Sequence, residues 1–309
     1  MSNATPQLEG EKILITGPTS QVALPIVKAL AQNNQVFGLA RFSKQEEREK
    51  IEALGVETLA VDLAGADLDA VPRDFSIVLN FAVVKSGDFE YDLAANAEGV
   101  GRLIAHCRPA KGFLHCSTAG VYESAGHHAL KETDPLGDNH RVLMPTYSIC
   151  KIAAETVVRF AARQWNVPSV IARFSVPYGD NGGWPWFHLM MMKGGVPIPV
   201  HKDKPSIYNL IHEDDYISMI PKLLDLADVP PVTINWGGSE PTSIEEWCGY
   251  MGELTGLEPK FNYTEDTLAS VTLDPSKMHE LVDKTRVDWR EGIERMVRAR
   301  NPELLRDAS

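Results

Sequence analysis

The sequence predicts an α/β fold, a doubly wound parallel sheet of the Rossmann type with a smaller C-terminal lobe. Short apolar runs alternate with longer amphipathic runs up to residue 174, and a glycine-marked strand-turn-helix spans residues 13–30. Such alternation is typical of right-handed βαβ units. Beyond about residue 175 the alternation stops, and aromatic, Met-rich and Pro-rich segments follow. We therefore expect a dinucleotide-binding domain over residues 11–175 and mainly a substrate-binding lobe over 176–304, interleaved with the sheet.

Six parallel strands are predicted before residue 175, because each of these apolar runs is bounded by turn residues. They cover residues 12–16, 35–40, 58–61, 76–81, 112–117 and 169–174. The helices predicted between them cover 21–32, 44–54, 92–107 and 147–164. A late strand at 232–236 and helices at 243–254 and 288–298 are predicted in the second half. Ligands of such sheets bind beyond the carboxyl ends of the strands, where the strand order reverses.

The composition excludes several classes of protein. The chain has 309 residues, of which 44% are hydrophobic, enough to bury a large core. Its net charge of -12 argues against a nucleic-acid partner, which would require clustered Lys and Arg. No apolar run approaches the ~20 residues that span a bilayer, and residues 1–10 lack the features of a signal peptide, so we expect a cytoplasmic protein without a membrane partner. The four cysteines have neither disulfide nor zinc spacing, and no metal site is predicted.

Tyr147 and Lys151 form a Tyr-x-x-x-Lys pair within a predicted helix. Residues four apart share a helix face, so the Lys151 ammonium can lie beside the Tyr147 phenol. A free tyrosine, with a pKa of ~10, is a poor base at neutral pH, and a neighbouring cation lowers that pKa. The pair lies downstream of Ser117-Thr118 and of the glycine turn. This order predicts chemistry at a carbinol or carbonyl carbon.

The turn after the first strand resembles a phosphate-binding turn only in part. Gly17 occupies the first glycine position of the dinucleotide fingerprint, whereas Ser20 and Ala23 stand at the second and third. Backbone N–H groups at the start of the following helix would point at a phosphate. Ala23 still allows close helix–sheet packing, and the Ser20 hydroxyl can donate to a phosphate although its Cβ crowds a pyrophosphate. A plain strand–helix turn is the alternative.

Taken in chain order, these motifs resemble the extended short-chain dehydrogenase/reductases, the NAD-dependent epimerase/dehydratase superfamily. The resemblance covers about residues 11–304. Its further elements are Asp62-Leu63, Asn80 to Val83, Asn96, Ser117-Thr118 before Val121-Tyr122, the segment Arg-Phe-Ser-Val-Pro-Tyr-Gly at 173–179, and His212 to Asp215.

The resemblance implies a catalytic set of Thr118, Tyr147 and Lys151. Tyr147 would be the general acid/base, Lys151 would lower its pKa and bond the nicotinamide ribose, and Thr118 would bond the substrate oxygen. Ser117 is the neighbour to test as a substitute for Thr118. Asn96 would be a structural support. The implied cofactor contacts are Gly17, Thr19, Ser20, Gln21, Val22, Asp62, Leu63, Phe81, Ala82, Val83, Tyr147, Lys151, Phe174 and Val176.

The end of the second strand predicts the choice of cofactor. An NAD-specific site usually has Asp or Glu there, whereas an NADP site replaces the acid and supplies a cation for the 2'-phosphate. Ala40 occupies the acid's place and Arg41 follows it. We therefore predict that NADP(H) is preferred, with Arg41 and either Ser43 or Lys44 at the phosphate, and that NAD(H) is also possible. A solvated Arg41 is the alternative.

Two departures from the resemblance shape the predicted substrate. Nucleotide-sugar members usually carry Asn at the position of Val176 and Arg just before His212, where residues 207–211 here read Ile-Tyr-Asn-Leu-Ile. The segment 184–192 supplies aromatic and polarizable surface, which suits an apolar ligand. These features predict an NADP(H)-dependent oxidoreductase that interconverts a hydrophobic or aromatic ketone or aldehyde and its alcohol. The predicted substrate pocket comprises Lys85, Thr118, Ala119, Trp184, Trp186 and Met190.

Two other functions are alternatives. A nucleotide-sugar epimerase or dehydratase would use the same triad, and Lys85 favours it because some sugar epimerases carry Lys near that position. A non-catalytic cofactor-binding regulator would be consistent with the incomplete glycine turn. Apolar residues also cover more than one side of the helix at 148–165, which predicts a homodimer, although a fully buried helix in a monomer gives the same pattern.

Overall fold

The computed structural model describes residues 8–65 and 67–306. Its strands are β1 Lys12–Thr16, β2 Gln35–Ala40, β3 Glu57–Ala60, β4 Ile77–Asn80, β5 Gly112–Thr118, β6 Ser169–Phe174, β7 Pro177–Gly179, β8 Gly182–Gly183, β9 Ile198–His201, β10 Ile207–Tyr208, β11 Ile211–His212, β12 Val232–Trp236, β13 Thr242–Ser243 and β14 Phe261–Thr264. Its α-helices are α1 Ala23–Leu30, α2 Gln45–Glu52, α3 Phe89–Leu93, α4 Gly99–His106, α5 Tyr147–Trp165, α6 Trp184–Lys193, α7 Glu213–Asp225, α8 Ile244–Thr255, α9 Ser276–Leu281 and α10 Trp289–Arg300. A π-helical turn, Ala94–Glu98, joins α3 to α4, and 3₁₀ turns cover Ala119–Val121 and Pro302–Leu304.

The main sheet confirms the predicted fold class. Seven parallel strands lie in the order β12-β6-β5-β4-β1-β2-β3, so the strand order reverses between β1 and β4. Thr16 and Asn80 are paired at the ends of these two strands, and the Thr16 hydroxyl donates to Asn80 Oδ1 at 2.7 Å. The crevice that binds ligands in doubly wound sheets opens at this edge.

Side chains that alternate along the buried strands cover both faces of the sheet. On β1, Ile13 and Ile15 enter one core with α1 and α7, while Leu14 enters a second core with α4 and α5. Since successive strand residues point to opposite faces, a continuous apolar run is what a strand covered on both sides requires.

The segment after β6 builds a lobe around a third core that includes Tyr208, Trp247 and Met251. Strand β12 pairs with β6 in the main sheet, although elements of the lobe lie between these two strands in the sequence. The lobe is therefore interleaved with the sheet along the chain. The Asp215 carboxylate accepts from the Arg286 and Val287 amides at 2.8 and 3.1 Å, which ties the start of α7 to the C-terminal segment. The division of the chain near residue 175 stays a prediction.

The helix predicted over 92–107 is present, but it begins at Phe89, ends at His106 and contains a π-helical turn that was not predicted. The structure divides this stretch into the end of α3, the π-helical turn and α4. Asn96 lies in that turn, where its side chain accepts from the Val84 amide at 2.9 Å and donates to the Val84 carbonyl oxygen at 2.7 Å. The wider turn thus directs the Asn96 amide at the loop after β4, a use of π-helical turns common at functional sites.

Among the residues that the structure describes, no helix is both long enough and apolar enough to cross a bilayer. The first seven residues, on which the expected absence of a signal peptide largely rests, lie outside the described part of the chain.

Candidate active site

Two adjacent cavities open at the carboxyl edge of the sheet. The smaller, of about 210 Å³, is lined by the predicted cofactor residues Gly17, Thr19, Ser20, Arg41, Asp62, Leu63, Phe81, Ala82 and Val83. The larger, of about 770 Å³, is lined by Gln21, Val22, Thr118, Tyr147, Lys151, Phe174 and Val176. Ser20, Phe81 and Val83 line both cavities, which are therefore adjacent. Their position at the strand ends is where doubly wound sheets bind dinucleotides.

The turn after β1 depends on a glycine at position 17. Gly17 has a φ of +66°, and a Cβ at this position would lie 3.0 Å from Ala82 Cα. Glycine is therefore required both by the backbone conformation and by the close approach of β1 to the loop after β4. The Ser20 hydroxyl accepts from the Ala23 amide at 3.1 Å, and the fully buried Ala23 packs in the core. Ser20 thus stabilises the start of α1 from its own side chain.

A hydrogen-bonded chain of three side chains lies at the smaller cavity. Arg41 Nη1 donates to the Tyr91 hydroxyl at 3.0 Å, and that hydroxyl donates to Asp62 Oδ2 at 2.8 Å. The bond to Asp62 raises the pKa of Tyr91, because it favours the protonated phenol. Tyr91 was not predicted as a site residue, because nothing in the local sequence pattern indicates that α3 lies beside the ends of β2 and β3. Lys44, considered for the phosphate, pairs with Glu47 at 3.2 Å.

The three predicted catalytic residues meet at one end of the larger cavity. Thr118 ends β5, and Tyr147 begins α5 with Lys151 one turn further on. The Lys151 side chain is buried, and its ammonium donates to the Cys116 carbonyl oxygen at 2.7 Å. Burial raises the pKa of Tyr147 to about 12, and the Thr118 hydroxyl offsets part of this rise. Burial also lowers the pKa of Lys151. In the protein alone, burial dominates the pKa of the phenol, and the lowering expected from Lys151 is not observed.

Ser117 and Thr118 face different partners. The Ser117 hydroxyl donates to Glu155 Oε1 at 2.6 Å, and the Glu155 carboxylate binds Arg173 through bonds of 3.0 and 2.8 Å. The Thr118 hydroxyl accepts from the Gly120 amide at 3.1 Å and stays beside Tyr147. Ser117 is therefore held in a buried ionic cluster, and its hydroxyl is poorly placed to substitute for Thr118.

The predicted substrate residues Lys85, Thr118, Ala119, Trp184 and Trp186 all line the larger cavity. Met190 does not, and its placement there was wrong: its side chain packs against the core of the lobe. Helix α6 is apolar on nearly every side, so its sequence pattern does not tell which face meets the cavity.

His140 is a cavity residue that the sequence analysis missed. Its ring centroid lies 5.7 Å from that of Tyr147, and burial, with a further effect of Lys85, lowers its pKa to about 4. His140 is therefore neutral at physiological pH. Lys85 also lies near Tyr147, with its ammonium 5.8 Å from the centroid of the phenol ring. Both residues come from loops, whose approach to Tyr147 depends on the tertiary fold.

The larger cavity has a charge opposite to that of the whole protein. Among the described residues, its lining contains the cations Lys85, Lys151 and Arg300 and no Asp or Glu. The chain as a whole has 42 acidic and only 30 basic residues. Because low-dielectric walls concentrate the field of such charges, the cavity favours an anionic ligand.

A cleft at the strand ends, next to a Thr–Tyr–Lys set, defines a class, the nicotinamide-dependent Rossmann enzymes. Comparison with known families identifies the particular group: the model of the NAD dependent epimerase/dehydratase family matches residues 13–237. The chain therefore belongs to this family, and the resemblance inferred from its motifs is confirmed. A comparison with curated proteins finds no significant match.

Solved structures of similar fold include several sugar-nucleotide enzymes. UDP-glucuronic acid 4-epimerase from Bacillus cereus, in complex with UDP-glucuronic acid and NAD, superposes with a TM-score of 0.79 at 22% identity, over 92% of this chain and 97% of that one. UDP-N-acetylglucosamine 4-epimerase from Methanobrevibacter ruminantium M1 gives 0.81 at 16% identity, over 96% and 100%. DesIV, a dTDP-glucose 4,6-dehydratase from Streptomyces venezuelae with NAD bound, gives 0.78 at 20% identity, over 93% and 96%.

These findings correct the predicted reaction. The expectation of an NADP(H)-dependent reductase of hydrophobic ketones or aldehydes is wrong, because the family and these structures favour the alternative of a nucleotide-sugar epimerase or dehydratase. The absence of Asn at position 176 and of Arg just before His212 is therefore not enough to exclude a nucleotide-sugar substrate. The aromatic segment 184–192 does contribute to the cavity wall, but aromatic rings also stack on nucleotide bases.

Proposed function

We propose that this protein is a nucleotide-sugar epimerase that works with a tightly held nicotinamide cofactor. The main observation behind the proposal is that Thr118 and Tyr147 line a large cavity that also contains three cations. This cavity lies next to the predicted cofactor cleft. A sugar linked to a diphosphate is the kind of anionic, bulky ligand that such a cavity suits.

The side chains support inversion at a carbinol carbon. When bound, the nicotinamide cofactor supplies the group that accepts a hydride from this carbon and returns it. Tyr147 takes the proton of the substrate hydroxyl as its carbonyl forms, and gives it back as the hydroxyl forms again. Thr118 hydrogen-bonds the same oxygen and keeps it within reach of Tyr147. If the sugar turns over in the cavity between the two steps, the hydride returns to the opposite face and no cofactor is consumed.

The cavity lining favours epimerisation over loss of water. A dehydratase must also remove a proton from one neighbouring carbon and protonate a departing hydroxyl, so it needs further acid/base groups. Among the described lining residues there is no carboxylate for these tasks, and His140, with a pKa of about 4, is a weak base and carries no proton to give as an imidazolium acid at neutral pH. Epimerisation requires only the one proton transfer that Tyr147 can perform.

For the cofactor, we propose that Arg41 favours NADP(H) over NAD(H). The support is that Ala40 provides no carboxylate for a ribose 2'-hydroxyl and that Arg41 lines the adenosine end of the cleft. The Tyr91 hydroxyl holds the Arg41 guanidinium in place. Thermal stabilisation by NADPH and NADH tests this, because a ligand that binds only the native state raises Tm. Equal or greater stabilisation by NADH, unchanged in Arg41→Ala, would refute the preference.

A cytoplasmic homodimer remains the proposed state of the protein. The support for a dimer is the outer side of α5, where the Phe160 ring is 62% exposed. Light scattering of the wild type and of Phe160→Glu measures the mass directly, and a monomeric wild type would refute the dimer.

The reaction is tested by incubating the protein, loaded with NAD in one sample and with NADP in another, with UDP-glucuronic acid, UDP-glucose and UDP-N-acetylglucosamine. We expect NMR to show formation of the 4-epimer of at least one sugar without a net change of absorbance at 340 nm. Tyr147→Phe should abolish turnover and leave the cofactor Kd nearly unchanged. Full turnover in Tyr147→Phe would remove Tyr147 from the mechanism, and no epimer from any sugar nucleotide would refute the function.

A further inference from the structure

We infer that Arg300, the last residue of α10, is the side chain that binds the diphosphate of the nucleotide sugar. This inference rests on the proposed function, and it names a residue far in sequence from the Rossmann motifs. Arg300 lines the larger cavity, at a wall that also includes Trp186 and Gly183.

The Arg300 guanidinium is held in place before any ligand arrives. Its Cζ lies 4.2 Å from the centre of the Trp186 ring, a cation–π contact. The Trp186 indole in turn donates to Asn301 Oδ1 at 3.0 Å, which fixes the ring against the end of α10. The guanidinium also lies beside Gly182, where a Cβ would be in van der Waals contact with it, 3.5 Å from Arg300 Nε. An arginine ordered in this way loses less side-chain entropy when it binds an anion.

Unlike Arg295 and Arg298 on the same helix, Arg300 has no carboxylate partner among the described residues. Arg295 pairs with Asp214 at 2.8 Å, and Arg298 pairs with Glu294 at 2.7 Å. The planar guanidinium of Arg300 therefore keeps its donors for a ligand, and guanidinium groups bind phosphates through two parallel hydrogen bonds.

The other two cations of the cavity serve its catalytic end. Lys151 is bonded to the Cys116 carbonyl oxygen, and Lys85 lies over the Tyr147 ring. Arg300 instead contacts Trp186 and lies next to Gly182. Nucleotide-sugar members of the family usually carry polar or charged groups at the position of Val176 and just before His212, and this chain lacks both. Arg300 offers a positive charge in their place.

The competing interpretation is structural: Arg300 would simply complement the negative end of the α10 dipole. The two interpretations differ in their effect on ligand affinity. We would titrate NAD-loaded Tyr147→Phe protein, which should not turn over, with UDP by calorimetry. Arg300→Gln in this background should weaken UDP binding about 10- to 100-fold, as expected for loss of charge-assisted hydrogen bonds. Arg298→Gln, two residues away on the same helix, is the matched control and should change the Kd less than 2-fold.

A double-mutant cycle tests how Trp186 contributes. If Trp186 acts by holding Arg300, then Trp186→Leu should weaken UDP binding on its own, but add less than 2-fold to the effect of Arg300→Gln. Independent, multiplying effects would overturn the claim that Trp186 positions Arg300.

The outcomes separate the inference from the function on which it rests. If Tyr147→Phe protein binds UDP and Arg300→Gln leaves the Kd unchanged, the inference is overturned and the function survives. A parallel loss of NAD affinity in Arg300→Gln would show a general distortion and would also overturn it. If neither UDP nor UDP-glucose binds before Arg300 is changed, the proposed function fails, and the inference fails with it.

Discussion

Lys151 follows Tyr147 by one turn of α5, and its ammonium is bonded to the Cys116 carbonyl oxygen at 2.7 Å. The cation is therefore anchored to the end of β5. Burial dominates the ionisation of the phenol, and it raises the pKa of Tyr147 from 10.0 to about 12. In the free protein, Tyr147 is consequently a proton donor and not yet a base.

We expect this raised pKa to appear in the stability of the protein at alkaline pH. The folded protein keeps the Tyr147 proton while the unfolded chain loses it, so Tyr147 stabilises the fold fully below pH 10. That contribution decreases as the pH rises from 10 to about 12. Urea unfolding at pH 9, 10 and 11 should therefore show a steeper loss for the wild type than for Tyr147→Phe. Parallel curves for the two proteins would contradict the raised pKa.

The same phenol should respond to the cofactor. Oxidised nicotinamide is positively charged, and a positive charge nearby favours the phenolate. Titration by absorbance near 295 nm, as a difference against Tyr147→Phe, should give a lower pKa for Tyr147 with NAD⁺ than without it. An unchanged titration would mean that the cofactor does not prepare Tyr147 to act as a base.

Replacing Lys151 by Met should slow turnover strongly at neutral pH. The change removes the fixed charge beside Tyr147, and general acid/base catalysis of this kind is typically worth ~10²–10⁴-fold in rate. It also leaves the buried Cys116 carbonyl oxygen without its Lys151 donor, so a moderate decrease in Tm is expected. Steady-state kinetics between pH 7 and 10 should show part of the activity returning at high pH. An equal loss at every pH would indicate a structural role only.

Most of the sheet could be predicted because its strands are buried on both faces. The strands at 12–16, 35–40, 169–174 and 232–236 were predicted with the bounds that the structure has, since a mainly apolar run marks the first three and an alternating run marks the last. The π-helical turn at Asn96 could not be predicted, because its sequence has an ordinary helical pattern. The turn is associated with a tertiary contact between Asn96 and Val84 that no local pattern shows.

The site could be predicted only where chemistry follows a local motif. Gly17, Thr118 and Tyr147 stand in recognisable short segments, and the fold brings them to one edge of the sheet. Tyr91 on α3 bonds two residues of the smaller cavity, and Arg300 on α10 lines the larger one; the docking of both helices depends on the packing of the whole chain. No spacing in the sequence marks either residue.

Gly17→Ala should impair both stability and cofactor binding. A left-handed φ of +66° costs a non-glycine residue about 1–2 kcal/mol, and the new Cβ would press on Ala82 at 3.0 Å. Gly55→Ala is the matched control, because Gly55 also has a positive φ, +79°, but has no atom within 4 Å of the added Cβ. Urea unfolding and NAD titration of both variants separate strain from crowding. We expect a similar cost of strain in both proteins and a loss of NAD affinity only in Gly17→Ala.

Glu155 connects the buried ionic cluster to catalysis, so Glu155→Gln should affect both stability and rate. Glu155 and Arg173 are each 2% exposed, and breaking a buried pair typically costs about 3–5 kcal/mol because one charge is left uncompensated. The substitution also weakens the acceptor of the Ser117 hydroxyl, and the end of β5 then holds Thr118 less firmly. Glu294→Gln, which breaks the exposed pair with Arg298, should cost less than about 1 kcal/mol and leave kcat unchanged.

Urea unfolding and steady-state kinetics on these two variants distinguish the possible roles of the cluster. If Glu155→Gln unfolds as easily as predicted but keeps the wild-type kcat at a temperature where it is folded, the cluster supports the sheet without positioning Thr118. If kcat falls and Ser117→Ala reproduces the fall with a smaller loss of stability, the hydrogen bond from Ser117 to Glu155 transmits the effect. The position of Thr118 would then depend on a carboxylate that does not itself line the catalytic cavity.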